Sequence, residues 1–312
     1  MLVTGGAGFI GSHLVDGLLT MGAEVRVLDN LATGHLENLS HCASEIDFLE
    51  GDIRNLDVCR QAAEGCAMVF HQAALGSVPR SVREPSTSFE VNVQGTVNVV
   101  TAAKDAGATR LIYASSSSVY GDSPKLPKCV GEEGKPLSPY AATKQMNEQI
   151  AGVFATSYGF AAIGLRYFNI YGARQDPDGP YAAVIPRFFK AALHSDPMTI
   201  YGDGEQSRDF THVSDAVQAN LMAGGADLSA CGRAYNVAAG QATSVNDLAR
   251  KIARLCDSPS APSYEPPRAG DVKHSLADLT QTTEAIEYRP SINLADGLAA
   301  SLDHYRSILE PK

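Results

Sequence analysis

Tyr140 and Lys144 are spaced as Tyr-x-x-x-Lys, a pattern suited to proton transfer. On a helix, residues four positions apart lie on one face, so the ammonium group would lie beside the phenol. A positive charge there stabilises the phenolate and lowers the tyrosine pKa toward the working pH, as a general base requires. Because the same pattern is common on solvated helix faces, the surrounding elements must decide its role.

Four serines, Ser115–Ser118, lie at the end of a strand predicted over Arg110–Ser115. The next predicted helix is Pro139–Tyr158, with Tyr140 in its first turn. In an open parallel sheet, ligands bind at the carboxyl ends of the strands. We therefore expect one serine of this run to hydrogen-bond a substrate hydroxyl or carbonyl beside Tyr140, while others satisfy their own backbone.

A glycine-rich turn lies between a short strand predicted over Met1–Thr4 and a helix predicted over Phe9–Leu19. Its glycines, Gly5, Gly8 and Gly11, fit Gly-x-x-Gly-x-x-Gly, in the strand–turn–helix context that dinucleotide binding requires. Glycine lets the backbone approach a pyrophosphate, and the helix N-terminus supplies free N–H groups. The turn therefore predicts a dinucleotide site.

Asp29 ends the second predicted strand, 18 residues after Gly11. A carboxylate at that place accepts a hydrogen bond from a ribose 2′-OH and repels a 2′-phosphate, which favours NAD over NADP. Asp52 and Ile53, after the third strand, could meet the adenine. Ala73 and Ala74, after the fourth, are small enough to leave room for the cofactor.

Strands alternate with helices through the first half of the chain, which predicts βαβ units and a Rossmann-type, doubly wound parallel α/β sheet. The predicted strands are Met1–Thr4, Glu24–Asp29, Ile46–Glu50, Ala67–Gln72, Arg110–Ser115 and Ala162–Phe168, and a further long helix is predicted over Ser86–Ala106.

Shorter elements follow Tyr171: strands at Thr199–Tyr201, Asp209–His212 and Ala234–Val237, and helices at Val245–Cys256 and Leu294–Leu309. We expect residues 1–172 to form the NAD-binding domain. Residues 173–312 would mainly form a smaller α/β substrate domain, with about 209–238 returning to the first.

Composition narrows the function classes. With 44% hydrophobic residues in 312, the chain can bury a large core, and its formal charge of −10 argues against binding nucleic acid or anionic lipid. The six cysteines form no Cys-x-x-Cys pair, so we expect reduced thiols and no metal site. No apolar run reaches membrane-spanning length, and we expect a soluble, cytoplasmic protein.

Together these features resemble the extended short-chain dehydrogenase/reductase family of nucleotide-sugar enzymes, the NAD-dependent epimerases and dehydratases, over essentially the whole chain. The segments that carry the resemblance are residues 3–14, 71–74, 119–121, 138–140 and 166–172, with Asn92. Residues 76–81, 174–177, 181–186 and 270–275 are most similar to UDP-N-acetylglucosamine and UDP-glucose 4-epimerases, of the kind that serve bacterial polysaccharide biosynthesis.

The resemblance implies a catalytic set. Tyr140 would be the base, and Lys144 would also hydrogen-bond the nicotinamide ribose. Ser116 would be the partner serine because it lies three residues before Val119, and Ser117 is a weaker candidate. The implied NAD contacts are Gly5, Gly8, Phe9, Ile10, Gly11, Asp29, Asn30, Gly34, Asp52, Ile53, Gln72, Ala73, Ala74, Asn92, Tyr140, Lys144 and Tyr167.

The resemblance also implies a UDP-sugar site. Its residues would be Ser77, Ser116, Ser117, Asn169, Ala183, Val184, Ile185, Tyr201, Arg208, Arg268, Asp271 and Ser275. Asn169 would face the sugar and diphosphate, and residues 183–185 would line the uracil pocket with Tyr201 nearby. Arg208 and Arg268 would clamp the diphosphate, because an acidic protein needs forked donors to hold phosphates. Without the resemblance, surface ion pairs with neighbouring acids explain both arginines more simply.

The implied activity is 4-epimerisation of a UDP-sugar through a 4-keto intermediate. A 4,6-dehydratase, a UDP-glucuronate epimerase or decarboxylase, and a non-catalytic NAD-binding module are the alternatives. Related dehydratases place Asp-Glu after the catalytic Thr, where this chain has Ser117 and Ser118, and the intact Tyr140–Lys144 pair argues against the non-catalytic module.

Two further expectations come from the resemblance. Ser275 lies seven positions after Arg268, where a bulky Tyr is associated with non-acetylated hexoses, so its small side chain leaves space for an N-acetyl group. A homodimer is expected, with the helices around Asn92–Ala106 and Tyr140–Tyr158 paired across a two-fold axis.

Overall fold

The computed structural model describes residues 1–178, 182–267 and 273–309. Its strands are β1 (Leu2–Thr4), β2 (Val25–Asp29), β3 (Ile46–Glu50), β4 (Met68–His71), β5 (Arg110–Ser116), β6 (Ala162–Tyr167), β7 (Ile170–Tyr171), β8 (Met198–Tyr201), β9 (Ser207–Asp209), β10 (Thr211–His212), β11 (Arg233–Val237), β12 (Ala242–Ser244) and β13 (Pro262–Glu265). Its helices are α1 (Phe9–Thr20), α2 (Leu56–Ala63), α3 (Val78–Arg83), α4 (Pro85–Phe89), α5 (Gly95–Asp105), α6 (Pro139–Tyr158), α7 (Val184–Leu193), α8 (Val213–Gly225), α9 (Val245–Leu255), α10 (Thr280–Ile286) and α11 (Leu294–Leu309).

Seven strands of the described chain form one parallel sheet in the order β11-β6-β5-β4-β1-β2-β3. The strand order reverses beside β1, which pairs with β2 on one side and β4 on the other. This reversal opens a crevice at the carboxyl ends of the strands, where ligands bind in doubly wound folds. The predicted Rossmann-type fold is confirmed.

Helices cover both faces of the sheet, so its central strands are buried along almost their whole length and do not alternate between buried and exposed residues. On one face, α1 and α8 pack together through Leu14, Leu18 and Ala219. On the other, α2 and α5 pack through Ala62 and Val99. A separate apolar cluster joins α7, α9 and α11 in the second half of the chain.

The long helix predicted over Ser86–Ala106 contains an irregularity. It consists of α4, a π-helical turn at Glu90–Gln94, and α5. Such turns insert one extra residue and often lie at functional sites. Here the turn carries Asn92, whose side chain binds the backbone of Leu75 through both its amide oxygen and its amide nitrogen. A periodic apolar pattern cannot show such a local change of winding.

The strand predicted over Asp209–His212 is wrong as a single element. Phe210 is buried between β9 and β10, which pair with different partners, β12 and β7. Helix α8 begins directly afterwards and packs on α1, and β11 extends the main sheet beside β6. The division of the chain into two domains stays a prediction.

All six cysteines are free thiols. In the ranges given above, no helix is both long and apolar enough to cross a membrane.

Candidate active site

A cleft of about 670 Å³ opens at the carboxyl ends of the sheet strands. It brings together the glycine turn, Asp29, the serine run, Tyr140 and Lys144. The predicted NAD contacts that line it are Gly5, Gly8, Phe9, Ile10, Gly11, Asp29, Asn30, Gly34, Ile53, Gln72, Ala73, Ala74, Tyr140, Lys144 and Tyr167. Asp52 and Asn92 are not among the lining residues.

The glycine turn has no room for side chains. A Cβ at Gly11 would lie 2.0 Å from the Gly5 carbonyl oxygen, and one at Gly5 would lie 2.6 Å from the backbone nitrogen of Ala73. Gly5 also has φ +70°, in the left-handed region that favours glycine. Among the described side chains none caps α1, so the first N–H groups of the helix are left for a ligand. The turn therefore fits the pyrophosphate of a dinucleotide.

Asp29 is buried at the end of β2 and is held by the backbone. Its carboxylate accepts hydrogen bonds from the N–H groups of Ala7 and Leu31, at 3.0 and 2.9 Å. Burial raises the pKa of this carboxyl, and the backbone hydrogen bonds oppose that rise. A carboxylate fixed at the cleft wall matches the predicted contact to a ribose hydroxyl.

Asp52 does not line the cleft, although Ile53 and Arg54 beside it do. Its carboxylate accepts from Arg54 Nε and Nη2, at 3.0 and 2.7 Å, and from Asn30 Nδ2 at 2.9 Å. The hydrogen bonds from Arg54 are the main reason that the pKa of Asp52 falls to about 2. Arg54 itself lines the cleft and was not among the predicted contacts. The one feature of the sequence that could have indicated this role is its position two residues after Asp52.

The proton-transfer group is assembled from β5 and α6. Ser138 caps α6 by accepting from the Ala141 N–H, which places Tyr140 at the start of the helix. The Tyr140 hydroxyl is hydrogen-bonded to the Ser116 hydroxyl. Lys144 Nζ lies 6.0 Å from the centre of the Tyr140 ring and donates to the Ala114 carbonyl oxygen at 2.8 Å.

The serine run divides its roles. Ser115 donates to Glu148, whereas Ser118 donates to Ser116 through both its N–H and its hydroxyl. Ser116 is therefore an acceptor toward Ser118, and its own proton is left to point at Tyr140. Ser116 and Ser117 both line the cleft.

The electrostatics differ from the expectation in one respect. Burial raises the pKa of Tyr140, and the Ser116 hydrogen bond opposes this only in part. The prediction that the pKa of Tyr140 is lowered is thus wrong for the protein without cofactor or substrate, because loss of hydration disfavours the phenolate. Burial also lowers the pKa of Lys144 to about 8, an effect that the Glu148 carboxylate partly offsets. Lys144 is still mostly charged at neutral pH.

Asn92, whose contact with NAD stays a prediction, ties three segments together. Besides binding Leu75, its amide nitrogen donates to Thr143 Oγ1, which in turn donates to the Tyr140 carbonyl oxygen. Asn92 therefore supports the base of the cleft from behind. Tyr167, which does line the cleft, donates to Gln72 Oε1.

The predicted sugar contacts are brought into the cleft only in part. Ser116, Ser117 and Asn169 line it. Ser77 does not line it and instead caps α3 by accepting from the Arg80 N–H. Gln175 was not predicted, but it lines the cleft near Asn169. It belongs to the Arg-Gln-Asp-Pro segment on which the resemblance partly depends.

Those predicted nucleotide contacts that the structure describes belong to the second half of the chain and are not among the residues that line this cleft. Ala183 is the N-cap residue of α7 and Val184 its first residue, but the side chain of Ile185 is 1% exposed and packs in the core. The Tyr201 ring lies 5.8 Å from the Arg187 guanidinium. Arg208 and Ser275 lie on neighbouring segments, both bonded to the Ser207 carbonyl oxygen. Arg268 and Asp271 lie outside the described residues.

One cluster of potential metal ligands occurs within the described ranges. Atoms of Asp16, His41 and Cys42 lie within 4.8 Å of one another. The Asp16 carboxylate is bonded to His41 at 2.7 Å and to Arg174 at 2.9 Å. Because a guanidinium already neutralises this carboxylate, the cluster is better described as an ion-pair network.

Comparisons with known proteins agree with this geometry. Residues 1–238 match the NAD dependent epimerase/dehydratase family. The chain is 39% identical to the UDP-glucose 4-epimerase of Mycolicibacterium smegmatis over 98% of both chains. It therefore belongs to the NAD-dependent epimerase/dehydratase family, and its cofactor is NAD.

Two solved structures are similar throughout. The UDP-N-acetylglucosamine 4-epimerase of Methanobrevibacter ruminantium, in complex with UDP-N-acetylmuramic acid, is 38% identical with a TM-score of 0.94 over 98% of both chains. The UDP-glucose 4-epimerase of Thermus thermophilus, in complex with NAD, is 35% identical with a TM-score of 0.88 over 98% of both chains.

Proposed function

We propose that this protein is an NAD-dependent 4-epimerase of UDP-sugars, acting on UDP-GlcNAc and UDP-GalNAc and also on UDP-glucose and UDP-galactose. The observation that carries the proposal is the hydrogen-bonded Ser116–Tyr140 pair beside Lys144. This pair lies in the same cleft as the glycine turn and Asp29. A proton acceptor placed next to a dinucleotide site suits oxidation of a sugar hydroxyl.

The chemistry divides between cofactor and protein. NAD, when bound, takes up the hydride that leaves sugar C4 and returns it later. Tyr140, as the phenolate, accepts the proton of the 4-hydroxyl group while the C4–H bond breaks, which leaves a 4-keto sugar. Ser116 donates its hydrogen bond to the tyrosine oxygen. When the keto sugar presents its opposite face, Tyr140 returns the proton to O4 and the other 4-epimer forms.

Lys144 and burial have opposite effects on how readily Tyr140 forms the phenolate. Burial alone disfavours the phenolate, so a nearby positive charge is required for the tyrosine to act as a base. The Lys144 ammonium is held on the Ala114 carbonyl, on the same helix face one turn after Tyr140. Its role is to keep the phenolate accessible near neutral pH.

The side chains after Ser116 argue against dehydration. Loss of the sugar 6-hydroxyl requires an additional acid and base, which the dehydratases that the chain resembles place as Asp-Glu directly after the catalytic threonine. Here the next two residues are Ser117 and Ser118, and Ser118 donates back to Ser116. A serine hydroxyl does not transfer protons readily at neutral pH. Asn169, at the sugar end of the cleft, is uncharged and offers no counter-ion to a sugar carboxylate.

An assay with a panel of UDP-sugars tests the proposal. Purified protein, with bound NAD verified by extraction, is incubated with UDP-GlcNAc without added cofactor and followed by NMR. We expect UDP-GalNAc to form, and UDP-glucose to give UDP-galactose in a parallel reaction. A 4-keto-6-deoxy or pentose product would favour a dehydratase or decarboxylase. No conversion of any UDP-hexose by the NAD-loaded protein would refute the proposal.

We also propose a homodimer. Helix α6, one of the two helices predicted to form the interface, exposes Met146 to 39% and Val153 to 58%. These residues are seven positions apart, so they lie on one face of the helix and form an apolar stripe. Sedimentation of the wild-type protein and of Val153→Glu tests this, because a charge in the face should shift the dimer to monomer.

A further inference from the structure

We propose that Asp209 is the positioning residue of the nucleotide-sugar half of the site, holding Arg208, Asn169 and Ser275 in one arrangement. The inference depends on the proposed function, since it concerns the site for the same UDP-sugar. Asp209 is 0% exposed and lies at the end of β9.

The Asp209 carboxylate joins three parts of the chain that are far apart in sequence. It accepts from the N–H groups of Ala239 at 3.0 Å, Gly240 at 3.2 Å and Ala277 at 3.2 Å. Ala239 and Gly240 follow β11 of the main sheet, whereas Ala277 follows the segment that carries Ser275. One side chain therefore fixes β9 to the sheet and to the segment of residues 273–277.

The backbone of Asp209 connects β9 to Asn169, which is predicted to contact the sugar. The Asp209 carbonyl oxygen accepts from Asn169 Nδ2 at 3.1 Å. Asn169 follows β6, lines the cleft and has φ +38°, a left-handed conformation that needs support from its surroundings. The Asp209 contact supplies such support, and it links the sugar end of the cleft to β9.

Arg208, which is predicted to bind the diphosphate of the substrate, lies beside Asp209 in β9. Arg208 Nη1 donates to the Ser207 carbonyl at 2.9 Å and to the Lys273 carbonyl at 3.3 Å. The Ser275 N–H donates to the same Ser207 carbonyl at 3.1 Å. The positions of Arg208 and Ser275 are thus set by how β9 meets residues 273–277, and Asp209 holds that junction at Ala277.

An ionised carboxylate suits this task because it can only accept hydrogen bonds. Burial raises the pKa of Asp209 to about 6, and the backbone N–H groups oppose that rise. Because a pKa of about 6 is still below neutral pH, Asp209 is mostly ionised there, and its oxygens accept from N–H donors. An amide of the same shape would present its NH₂ group to one or more of these donors and separate the segments.

Asp215 provides a matched control six residues later. It is also 0% exposed, and it accepts from the Ser291 N–H at 2.9 Å, the Ser291 hydroxyl at 2.7 Å and the Ile292 N–H at 3.3 Å. None of these partners is a predicted site residue. Loss of Asp215 should therefore affect folding stability alone.

The test compares Asp209→Asn with Asp215→Asn in the NAD-loaded protein. UDP affinity is measured by titration calorimetry, retained NAD by extraction, and KM and kcat with UDP-GlcNAc. For Asp209→Asn we expect the UDP Kd and the KM to rise about ten- to hundredfold, with kcat and bound NAD within about threefold of wild type. For Asp215→Asn we expect a lower melting temperature and an unchanged UDP Kd.

Equal UDP affinity in wild type and Asp209→Asn, or equal changes in both variants, would overturn the inference while leaving the proposed function intact. A wild-type protein that holds NAD but binds no UDP would instead refute the proposed function. If Asp209→Asn does not fold, hydrogen exchange of the wild type decides. UDP should then slow exchange in peptides covering residues 207–211, 239–241 and 273–278, but not in 289–293. Absence of protection in the first three would overturn the inference.

Discussion

Gly11→Ala is a sharp perturbation because the glycine turn closes on itself at this residue. An added Cβ would lie 2.0 Å from the Gly5 carbonyl oxygen, where ordinary contact begins at 3.4 Å. The two segments must therefore separate by the difference, about 1.4 Å, because the atoms nearest the new Cβ belong to the backbone of Gly5 and Gly6, which cannot rotate away. The opened turn can no longer present its N–H groups to one pyrophosphate.

The size of the effect follows from the cost of overpacking. Forcing extra methylenes into a close-packed site costs about 1–3 kcal/mol. Because about 1.4 kcal/mol corresponds to a tenfold change in affinity, the NAD Kd should rise about five- to 150-fold. If NAD binds only when the turn is closed, this free-energy cost of closing the turn is lost in full from the free energy of NAD binding.

The assay removes bound NAD from wild type and variant and titrates it back by calorimetry. Gly152→Ala is the matched control, since Gly152 lies within α6 and its new Cβ would have no described heavy atom within 4 Å besides its chain neighbours and the backbone of its own helix. That variant should keep the wild-type NAD Kd and gain up to about 1 kcal/mol of helix stability. A Gly11→Ala protein whose NAD Kd stays within twofold of wild type would refute the assigned role of the turn.

Three further predictions concern catalysis. Tyr140→Phe should lower kcat about 10²- to 10⁴-fold in the NMR assay while UDP and NAD affinities stay within threefold, and full activity would remove Tyr140 as the base. Ser275→Tyr should lower kcat/KM about ten- to hundredfold for UDP-GlcNAc but little for UDP-glucose. Equal losses on both sugars would show that the small side chain of Ser275 is not what leaves space for the N-acetyl group. Because burial lowers the pKa of Lys144 to about 8, the ammonium is charged below that pH and neutral above it. The active form needs Tyr140 deprotonated and Lys144 still charged, so initial rates should show kcat/KM rising with pH as the phenolate forms and falling at higher pH once the ammonium is lost, whereas a profile flat from about pH 6 to 10 would contradict the required pair.

Much of the framework could be predicted because its signals are local. Helix α6 has the predicted bounds Pro139–Tyr158, since Ser138, Pro139 and Gly159 mark its ends as cap residues. The glycine turn and Asp29 could be paired from spacing alone, because one βαβ unit fixes their separation.

What could not be predicted depends on contacts between distant segments. The Asp209 carboxylate meets Ala239 and Ala277, 30 and 68 positions away, and no pattern near Asp209 indicates either partner. Asn92, within the π-helical turn, likewise binds the backbone of Leu75, 17 positions away. The raised pKa of Tyr140 comes from burial by the whole fold, which a Tyr-x-x-x-Lys spacing does not reveal.

The most direct test of the account follows one hydrogen atom. UDP-GlcNAc carrying deuterium at C4 is incubated with the NAD-loaded protein, and the product is analysed by NMR and mass spectrometry. If the hydride that leaves C4 returns to C4, the UDP-GalNAc formed should retain the deuterium there. Deuterium at C6, or its loss to solvent or to added NAD, would contradict 4-epimerisation in this cleft.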